Sequence, residues 1–366
     1  MNGMDGKRLS ELKVGIVGCG FIAKKRHIPC FLGLGRNVVV RAVCDLNQSL
    51  ATSAAKEFDI PIAYSDLSEM LRKESLDIVD ICTPPQTHAA IAIEAMERDC
   101  HVILEKPMAL KVSDCDQMNN VARKSGSKLC VVHNELFRPP LLKSRQLVAE
   151  GDIGKLVGMR WCRLTSEGEY MALKDHWVHR LPGGVLGETG PHAVYTSLAF
   201  LKSVKDADIH AMKTLEYPWV LYDYYNITLE GERITSNAVI SHSSDCVVAD
   251  VELFGTEATL KLDLQSMLLI RYELKDTKPS HLALSSLGAA AQMVKGVMSN
   301  SAKVMLKSRG ELFRALDHSL LIKEFVKSVI EDQPPPVTGE EGRDTVRIME
   351  LLTEKLYKRY DLSRNG

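Results

Sequence analysis

Lys106 is a residue whose type and place could support proton transfer to or from a substrate hydroxyl. It lies in the tripeptide Glu105-Lys106-Pro107, directly after the apolar run His101–Leu104, which is typical of a buried strand. A Lys that precedes Pro at a strand end occupies a turn of restricted conformation, and its amino group can exchange a proton there. Many such lysines only end a strand at the surface, so the spacing alone leaves both interpretations open.

Glu188 and His192 form a second pair with acid–base chemistry. They are four residues apart in the stretch G-G-V-L-G-E-T-G-P-H, so in a helix both project from one face. A carboxylate beside a histidine can fix the tautomer of the imidazole and raise its basicity. Pro191 favours the first turn of a helix over its interior. The pair could instead be a buried polar contact. No third ligand stands at a readable spacing, so we predict no metal.

Thr83, Pro84 and His88 place a hydroxyl and an imidazole after the strand candidate 77–82. The two consecutive prolines at 84 and 85 cannot continue the interior of a sheet, so the strand ends here. His88 either lines a cofactor site or sits in the first turn of the next helix, and the sequence leaves both possibilities open.

Residues 12–23, L-K-V-G-I-V-G-C-G-F-I-A, predict a strand, a glycine turn and the start of a helix. Gly18 permits the tight turn, Gly20 lets a pyrophosphate approach the backbone, and Ala23 is small enough for close packing of helix on strand. The first N–H groups of the helix attract a diphosphate. A glycine turn without a ligand is the alternative. The cofactor-binding residues predicted in this stretch are Gly18, Gly20, Phe21, Ile22 and Ala23.

Asp45 ends the second strand candidate, Val38–Cys44, at a distance from the glycine turn that suits an acid binding the adenosine ribose hydroxyls. No Arg or Lys occurs among the four residues after it, so a ribose 2′-phosphate would meet this carboxylate without a compensating cation. We therefore predict NAD as the cofactor, with NADP less favoured. A helix cap or turn residue is the alternative interpretation of Asp45.

The composition is that of a globular enzyme. The chain has 366 residues, 45% of them apolar and 25% charged, with a formal net charge of −1, which gives no electrostatic case for nucleic acid or an anionic membrane as partner. The nine cysteines are scattered singly along the chain, and the simplest interpretation is that they are free, buried thiols. The N-terminal residues lack an apolar signal core and no apolar run reaches transmembrane length, so we predict a cytoplasmic protein without a membrane span.

Strand and helix patterns alternate through the first third of the chain, which predicts an α/β Rossmann domain with a doubly wound parallel sheet. Ligands bind such sheets at the carboxyl ends of the strands. The residues predicted near those ends are Gly18, Asp45, Thr83, Lys106 and Asn134. We predict that residues 1–134 form this domain.

Longer alternating runs after residue 155 predict a second, α+β domain, residues 135–366, with a large, open-faced, mainly antiparallel sheet. One helix, 187–201, interrupts the strands, and the C-terminal helices 312–330 and 341–360 could pack back on the first domain. The segment 281–307 reads as an amphipathic helix that packs on its own domain or on a second subunit; contact with a hydrophobic substrate is the minority interpretation. The seven predicted strands are 158–164, 207–214, 222–229, 234–241, 246–254, 259–264 and 267–272.

Taken together, these motifs resemble the glucose-fructose oxidoreductase / inositol dehydrogenase / rhizopine-catabolism (Gfo/Idh/MocA) family across nearly the whole chain. The shared features are the glycine turn and Asp45, T-P-x-x-x-H at 83–88, E-K-P at 105–107, Asn134 with Phe137 and Pro139, G-D-I-G at 151–154, the glycines before His192, and P-V-T-G-E-E-G at 336–342. Each motif alone is weak, whereas their combination is specific.

The resemblance implies a tightly held nicotinamide cofactor, a polyol or sugar substrate, and homodimers or homotetramers assembled through the second sheet. It implies that Lys106 and His192 are catalytic and that Glu188 takes the place of the usual Asp. It also implies a cis Lys106–Pro107 bond. Tyr195 stands where many members carry an acid, so the substrate contact usual at that position is not implied here. Leu136 stands where many members carry Arg, which disfavours an anionic substrate. The weaker candidates for substrate contact are His176, Trp177, His179 and Arg180, and the cofactor set extends to Thr83, Pro84, His88, Glu105, Lys106 and Asn134.

From these residues we predict a dehydrogenase in which His192 takes the proton of a sugar or cyclitol hydroxyl, Glu188 orients His192, and Lys106 polarises the same oxygen. Two alternatives remain open at this point. One is a glycosidase that oxidises and re-reduces its sugar with the same bound NAD and releases no net NADH. The other is a non-enzymatic sugar or NAD sensor, for which a retained proton-transfer pair has no use.

Overall fold

The chain forms two compact units in a computed structural model that describes residues 11–166, 171–273, 276–306 and 316–362, without the side chains of 301–306. The first unit comprises residues up to 109, 113–132 and 318–342, and the second comprises 110–112, 133–317 and the residues from 343 onward. This division differs from a single boundary after residue 134, because the segment 318–342 joins the first unit. Cys130 pairs with Thr338 in an antiparallel bridge, and the Val131 N–H donates to the Val337 carbonyl at 3.3 Å.

The first unit is built on a six-stranded sheet in the order β3-β2-β1-β4-β5-β6, with every pair parallel. This is the strand order of a doubly wound dinucleotide-binding sheet, so the predicted fold class of the first domain is confirmed. The elements are β1 (Leu12–Val17), α1 (Ile28–Leu32), β2 (Val38–Cys44), α2 (Gln48–Glu57), β3 (Ile62–Tyr64), α3 (Leu67–Glu74), β4 (Ile78–Ile81), α4 (His88–Met96), β5 (His101–Leu104), α5 (Val112–Ser125) and β6 (Leu129–Val131).

The central strands are buried at nearly every position because helices cover both faces of a parallel sheet. All four residues of β4 and all three of β6 are buried. The side chain of Asp80 therefore lies inside the unit although it is charged. Apolar residues mark these strands in the sequence. A buried acid within one of them, such as Asp80, requires a partner.

The helix that follows the glycine turn is interrupted by a π-helical turn, Ala23–His27, whereas the sequence predicted a regular helix. The Ile28 N–H donates to the Ala23 carbonyl, five residues back. Pro29 has no N–H to continue an α-helical ladder, and the wider turn removes the crowding that its ring would cause. The π-turn places the imidazole of His27 in the interior, with no exposed surface.

The second unit contains a seven-stranded sheet in the order β13-β12-β11-β7-β10-β9-β8. The pair β7–β10 is parallel and the other five pairs are antiparallel, so the prediction of a mainly antiparallel sheet is confirmed. The elements are α6 (Pro139–Glu150), β7 (Leu156–Leu164), α7 (Leu186–Leu201), β8 (Asp206–Met212), β9 (Tyr224–Glu230), β10 (Thr235–Ser241), β11 (Val248–Gly255), β12 (Thr259–Asp263), β13 (Leu268–Tyr272), α8 (Pro279–Leu306), α9 (Leu316–Ile330) and α10 (Gly339–Arg359).

Alternate residues of these strands face a core that contains Trp161 and Tyr225, and α7 packs over it. Pro191 lies inside α7 and not in its first turn, contrary to the expectation from sequence. Most of α7 is buried, and tertiary packing of this kind outweighs the local cost of one missing hydrogen bond. The predicted start of α9 at residue 312 lies outside the described residues.

The helix α8 packs along the edge strand β13. Gln292 accepts the Arg271 N–H through Oε1 and donates Nε2–H to the Arg271 carbonyl, both at 3.0 Å, so its amide pairs with the backbone of one residue of that edge. Leu284, Leu287 and Met298 on the same helix are exposed. Among the described residues, none of the helices combines the length and the apolar character needed to cross a bilayer.

A buried chain of charged groups connects four elements of the first unit. The Nδ1 of His27 lies 2.9 and 3.0 Å from the two carboxylate oxygens of Asp80 on β4, and its Nε2 lies 3.0 Å from Glu105 Oε1 at the end of β5. The Nε2 of His318 on α9 lies 3.5 Å from the same Glu105 oxygen. Both ring nitrogens of His27 therefore face carboxylates, which an imidazolium satisfies by donating at both ends.

The two kinds of group in this chain hold each other ionised. Burial alone would lower the pKa of His27, but the adjacent Asp80 carboxylate raises it well above 6.5. Burial alone would raise the pKa of Glu105, but hydrogen bonds from His27 and His318 hold it well below 4.5. The His27 contribution to stability is therefore full below pH 6.5 and is lost as the pH rises through its folded-state pKa. The Glu105 contribution is present above pH 4.5 and is lost as the pH falls.

We predict that His27→Gln lowers the free energy of unfolding by about 3–5 kcal/mol, because it leaves two buried carboxylates without their cation. The deficit relative to the unsubstituted protein should be largest below pH 6.5 and should shrink as the pH is raised, as measured by urea unfolding at pH 6 and pH 9. His281→Gln is the matched control: the His281–Asp276 pair is 49% and 37% exposed, and its loss should cost less than about 1 kcal/mol. Equal deficits for both variants would contradict the assignment.

Candidate active site

The glycine turn after β1 has the geometry of a dinucleotide-binding turn. Gly18 has φ +92°, and an added Cβ would lie 2.8 Å from the carbonyl carbon and oxygen of Cys82, so only glycine fits. A Cβ added to Gly20 would meet no atom within 4 Å. The backbone at Gly20 therefore borders open space, as the close approach of a pyrophosphate requires.

The helix that leaves this turn presents its first N–H groups beside Gly20. Phe21 and Ile22 are its first residues, and the Lys24 N–H donates to the Gly20 carbonyl at 3.2 Å. The first N–H groups of any helix lack partners within the helix and carry partial positive charge. Ala23 is fully buried, in line with its predicted packing role, whereas the ring of Phe21 is 73% exposed.

The carboxylate of Asp45 ties the end of β2 to the glycine turn. Its Oδ2 accepts the Cys19 N–H and its Oδ1 accepts the Asn47 N–H, both at 2.8 Å. The helix cap that was the alternative for Asp45 is Asn47, whose side chain accepts the Ser49 N–H at 3.0 Å. Asp45 is half-buried beside the turn, and its contact with a ribose stays a prediction.

His88 joins the carboxyl ends of β4 and β5. Its imidazole is fully buried in the first turn of α4, with Nε2 2.8 Å from the Thr83 carbonyl and Nδ1 3.1 Å from the Pro107 carbonyl. Of the two possibilities that the sequence left open, the geometry favours the buried helical residue. Thr83 itself is half-buried, its Oγ1 accepts the Thr87 hydroxyl at 2.8 Å, and Pro84 is exposed.

The turn that carries Lys106 is fixed by the residue before it. The Lys106–Pro107 peptide bond is cis, as predicted. Glu105 uses Oε2 to accept the Lys106 N–H at 3.0 Å, while its Oε1 faces His27. Glu105 was predicted to contact the cofactor. In the structure, both carboxylate oxygens of Glu105 contact groups of the protein. Lys106 lies half-buried just after the end of β5.

In the second unit, His192 is held at Nδ1 by two residues that the sequence did not identify as its partners. Nδ1 lies 2.6 Å from Tyr195 Oη and 3.6 Å from Glu135 Oε1. Glu188, predicted to orient His192, lies in the first turn of α7 and is half-buried. Nδ1 is therefore engaged within the protein, and proton exchange between His192 and a substrate stays a prediction.

Asn134 and Tyr195 extend this cluster. The Asn134 side chain donates to Asp317 at 2.9 Å and accepts the Tyr195 hydroxyl at 3.4 Å. Arg138 also donates to Asp317, at 3.2 Å. Asn134 was predicted to contact the cofactor; its amide serves to fix the turn that carries Glu135, and the cofactor contact stays a prediction.

The weaker substrate candidates lie together in a short 3₁₀ helix, Trp177–Arg180, of the second unit. His176 caps this helix by accepting the Val178 N–H at 3.4 Å. His179 lies 3.1 Å from the Leu173 carbonyl, and Arg180 donates to the Asp175 carbonyl at 3.2 Å. These contacts order the segment itself, and substrate binding by these residues stays a prediction.

Among the described residues, two groups of buried residues, both containing His27, have the composition of a metal site, and the first of them is His27, Asp80 and Cys82. The second is His27, Glu105 and His318, and the members of each group bring one ligand atom each within 4.8 Å of one another. Hydrogen bonding accounts for both groups without an ion, since each nitrogen of His27 lies at donor distance from a carboxylate. We therefore assign no metal role to them.

The comparisons with known proteins agree with this geometry. The model of the "Oxidoreductase family, NAD-binding Rossmann fold" (Gfo/Idh/MocA) matches residues 12–133. Levoglucosan dehydrogenase of Pseudarthrobacter phenanthrenivorans is 28% identical over 51% of this chain and 50% of the relative. D-glucoside 3-dehydrogenase of Escherichia coli is 26% identical over 56% of this chain and 59% of the relative.

A solved structure extends the likeness of fold over almost the whole chain. The WlbA dehydrogenase from Bordetella pertussis, in complex with NADH and UDP-GlcNAcA, aligns with a TM-score of 0.79 and 18% identity over 96% of both chains. The chain spans only about a third to three fifths of the first curated relatives, namely 36%, 50% and 59% of their lengths. Residues 12–133 are the part shared with the family model, and they contain the glycine turn, Asp45 and Lys106. Over these residues the chain is similar to the NAD-binding Rossmann domain of the Gfo/Idh/MocA family of oxidoreductases.

Proposed function

We propose that this protein is a dehydrogenase that transfers a hydride between the hydroxyl-bearing carbon of a sugar, cyclitol or sugar derivative and a nicotinamide cofactor, with NAD preferred. The observation that carries the proposal is the way His192 is held. Its Nδ1 is bound by Tyr195 beside the buried carboxylate of Glu135, which prepares Nε2 to act as a base. A sensor has no use for such a group.

The cofactor-binding part of the proposal rests on the first unit. Open space at Gly20, the first N–H groups of the helix and the carboxylate of Asp45 suit a pyrophosphate and a ribose. When bound, the nicotinamide supplies the hydride acceptor. The lack of Arg and Lys among the four residues after Asp45 supports NAD over NADP.

The proton-transfer part assigns roles to His192 and Lys106. His192 Nε2 takes the proton of the substrate hydroxyl, and the Nδ1–H remains on the ring. Lys106 polarises the hydroxyl oxygen, and the buried Glu105 carboxylate keeps its backbone in place. These groups position the substrate and move the proton, which is what the protein must contribute to a hydride transfer.

The substrate class is supported by the relatives. Two of them are named as dehydrogenases of levoglucosan and of D-glucosides, and one solved structure holds NADH with a sugar nucleotide. Among the described residues of the second unit, the two guanidinium groups that act on Glu135 both have a carboxylate partner: Arg163 with Glu135 itself, and Arg138 with Asp317. This charge balance supports a neutral sugar or polyol group as the reacting part.

Assembly as a homodimer or homotetramer through the seven-stranded sheet is part of the same proposal. Buried residues alternate with partly exposed ones along the strands, so one face of the sheet is buried and the opposite face is partly exposed. That face carries an ion-paired group in which Glu252 pairs with both Arg160 and Lys261. A cytoplasmic location stays a prediction from the sequence.

The direct test adds NAD to the purified protein with a panel of aldoses, cyclitols and sugar nucleotides and follows NADH absorbance. We expect net NADH with one substrate class. In the Lys106→Met variant we expect turnover to fall by about 10²–10⁴-fold while the Kd for NAD changes little, because the lysine acts on the substrate oxygen and not on the dinucleotide.

Lys111→Met is the control, since Lys111 is exposed and has no assigned role. Full activity of Lys106→Met would contradict the assignment of Lys106. Bound NAD without net NADH across the panel would contradict the dehydrogenase and favour the cofactor-recycling glycosidase.

A second prediction concerns the choice of cofactor. Asp45→Ser should weaken NAD binding and reduce the preference for NAD over NADP by about tenfold or more, because it removes a negative charge that would face a 2′-phosphate. Fluorescence titration with each dinucleotide measures both Kd values. Asp66→Ser is the matched control: Asp66 caps α3 by accepting the Glu69 N–H, so its loss should leave the ratio of Kd values unchanged. An unchanged ratio in Asp45→Ser would refute the ribose contact.

A further inference from the structure

Glu135 is the buried carboxylate beside His192. It lies in the 3₁₀ turn Asn134–Phe137 of the second unit and is 1% exposed. Its Oε1 accepts a hydrogen bond from Arg163, whereas its Oε2 has no hydrogen-bond partner among the described residues. A buried charged oxygen without a hydrogen bond is costly, so its retention requires a reason.

The geometry connects Glu135 to His192 through Tyr195. Oε1 of Glu135 lies 3.6 Å from His192 Nδ1, and Tyr195 Oη lies 2.6 Å from the same nitrogen. The Glu135 N–H donates to Tyr195 Oη at 3.3 Å, and the Tyr195 hydroxyl donates to Asn134 Oδ1 at 3.4 Å. The 2.6 Å contact does not by itself decide which atom carries the proton. The ionised Glu135 carboxylate beside Nδ1 can only accept, which favours a proton on Nδ1 and leaves the Tyr195 hydrogen for Asn134 Oδ1.

We infer that Glu135 and Tyr195 are the positioning residues of His192: they keep a proton on Nδ1, leave Nε2 as the base, and place a fixed negative charge beside the imidazolium that forms. This inference deepens the proposed function and rests on it for the role of His192. It assigns to Glu135 the part that the sequence analysis gave to Glu188. The proton balance is simple: the substrate hydroxyl loses a proton to Nε2, Nδ1 keeps its own, and neither Glu135 nor Tyr195 changes protonation.

The electrostatics of the cluster support this division. Burial alone would raise the pKa of Glu135, but the charges of Arg163 and His192 lower it to about 2, so the carboxylate is ionised at neutral pH. Burial and the Glu135 charge raise the pKa of Tyr195 well above 10, so its hydroxyl keeps its hydrogen. Among the described residues, Arg138 and Arg163 act on Glu135 and Tyr195, Glu188 lies on the same helix as His192, and His133 stacks on Tyr195 at 4.3 Å.

Nitrogen-15 NMR of the histidine-labelled full-length protein tests the inference without relying on turnover. In the unsubstituted protein, we expect neutral His192 to carry its proton on Nδ1. In Glu135→Gln, we expect the pKa of His192 to fall by about one unit or more, because an opposite charge within 4–6 Å is removed. Tyr195→Phe should mix the two tautomers by deleting the acceptor of the Nδ1–H.

Glu252→Gln is the control for an equivalent change of charge in the same unit. Glu252 is also ion-paired, with Arg160 and Lys261, and its replacement should leave the His192 titration unchanged. Glu188→Gln compares the two candidate carboxylates directly, and we expect it to shift the pKa of His192 less than Glu135→Gln does. Glu135→Asp, which retains the charge, should restore most of the original value.

The inference is overturned if neutral His192 carries its proton on Nε2, or if Glu188→Gln lowers the pKa of His192 and Glu135→Gln does not. The tautomer of the unsubstituted protein decides the matter even where Glu135→Gln fails to fold. A negative substrate panel combined with the expected titration would reject the dehydrogenase and keep the positioning role. Net NADH with one substrate class, combined with an unchanged His192 titration in Glu135→Gln, would keep the dehydrogenase and reject the positioning role of Glu135.

Discussion

The first unit depends on one interaction: the imidazolium of His27 donating to a carboxylate at each ring nitrogen. Asp80 belongs to β4, Glu105 ends β5, and His27 belongs to the π-turn that follows the glycine turn. These three elements are the ones that carry the predicted cofactor-binding turn and Lys106. Two buried carboxylates without the cation would repel each other and lose their solvation, so the strand ends are held in one arrangement by the charge between them.

The same physical device occurs separately in each unit. In the first, Glu105 is held ionised by His27 and His318 and uses its remaining oxygen to fix the Lys106 amide. In the second, Glu135 is held ionised by Arg163 and lies beside His192. A buried carboxylate with few rotamers and strong partners locates a neighbouring group more tightly than an exposed one does, which is what proton transfer requires.

Much of the fold could be predicted from the sequence because its signals are local. Val38–Cys44 and His101–Leu104 were predicted with the bounds that the structure has, since a continuous apolar run and a following polar turn define both. The cis peptide bond at Lys106–Pro107 was predicted from the family resemblance. The π-turn at Ala23–His27 was missed because helical periodicity alone does not reveal where a proline widens the preceding turn.

The partners of the site residues could not be predicted in the same way, because they come from distant parts of the chain. Glu188 was chosen as the partner of His192 from its i,i+4 spacing, whereas Tyr195 and Glu135 contact Nδ1, and Glu135 belongs to a different element. His318 meets Glu105 only through the tertiary fold. One signal was available: Asp80 is an acid in the middle of an apolar strand, and such a residue demands a buried cation.

The most direct test of this account is the protonation state of His27, read from the nitrogen-15 shifts of its two ring nitrogens across the pH range in which the protein stays folded. The account predicts a proton on both nitrogens at every pH from 5 to 8, with no titration near 6.5, because Asp80 and Glu105 hold the cation in place. A neutral His27 at pH 7, or a titration near 6.5, would contradict the buried charge network on which the positions of Glu105 and Lys106 depend.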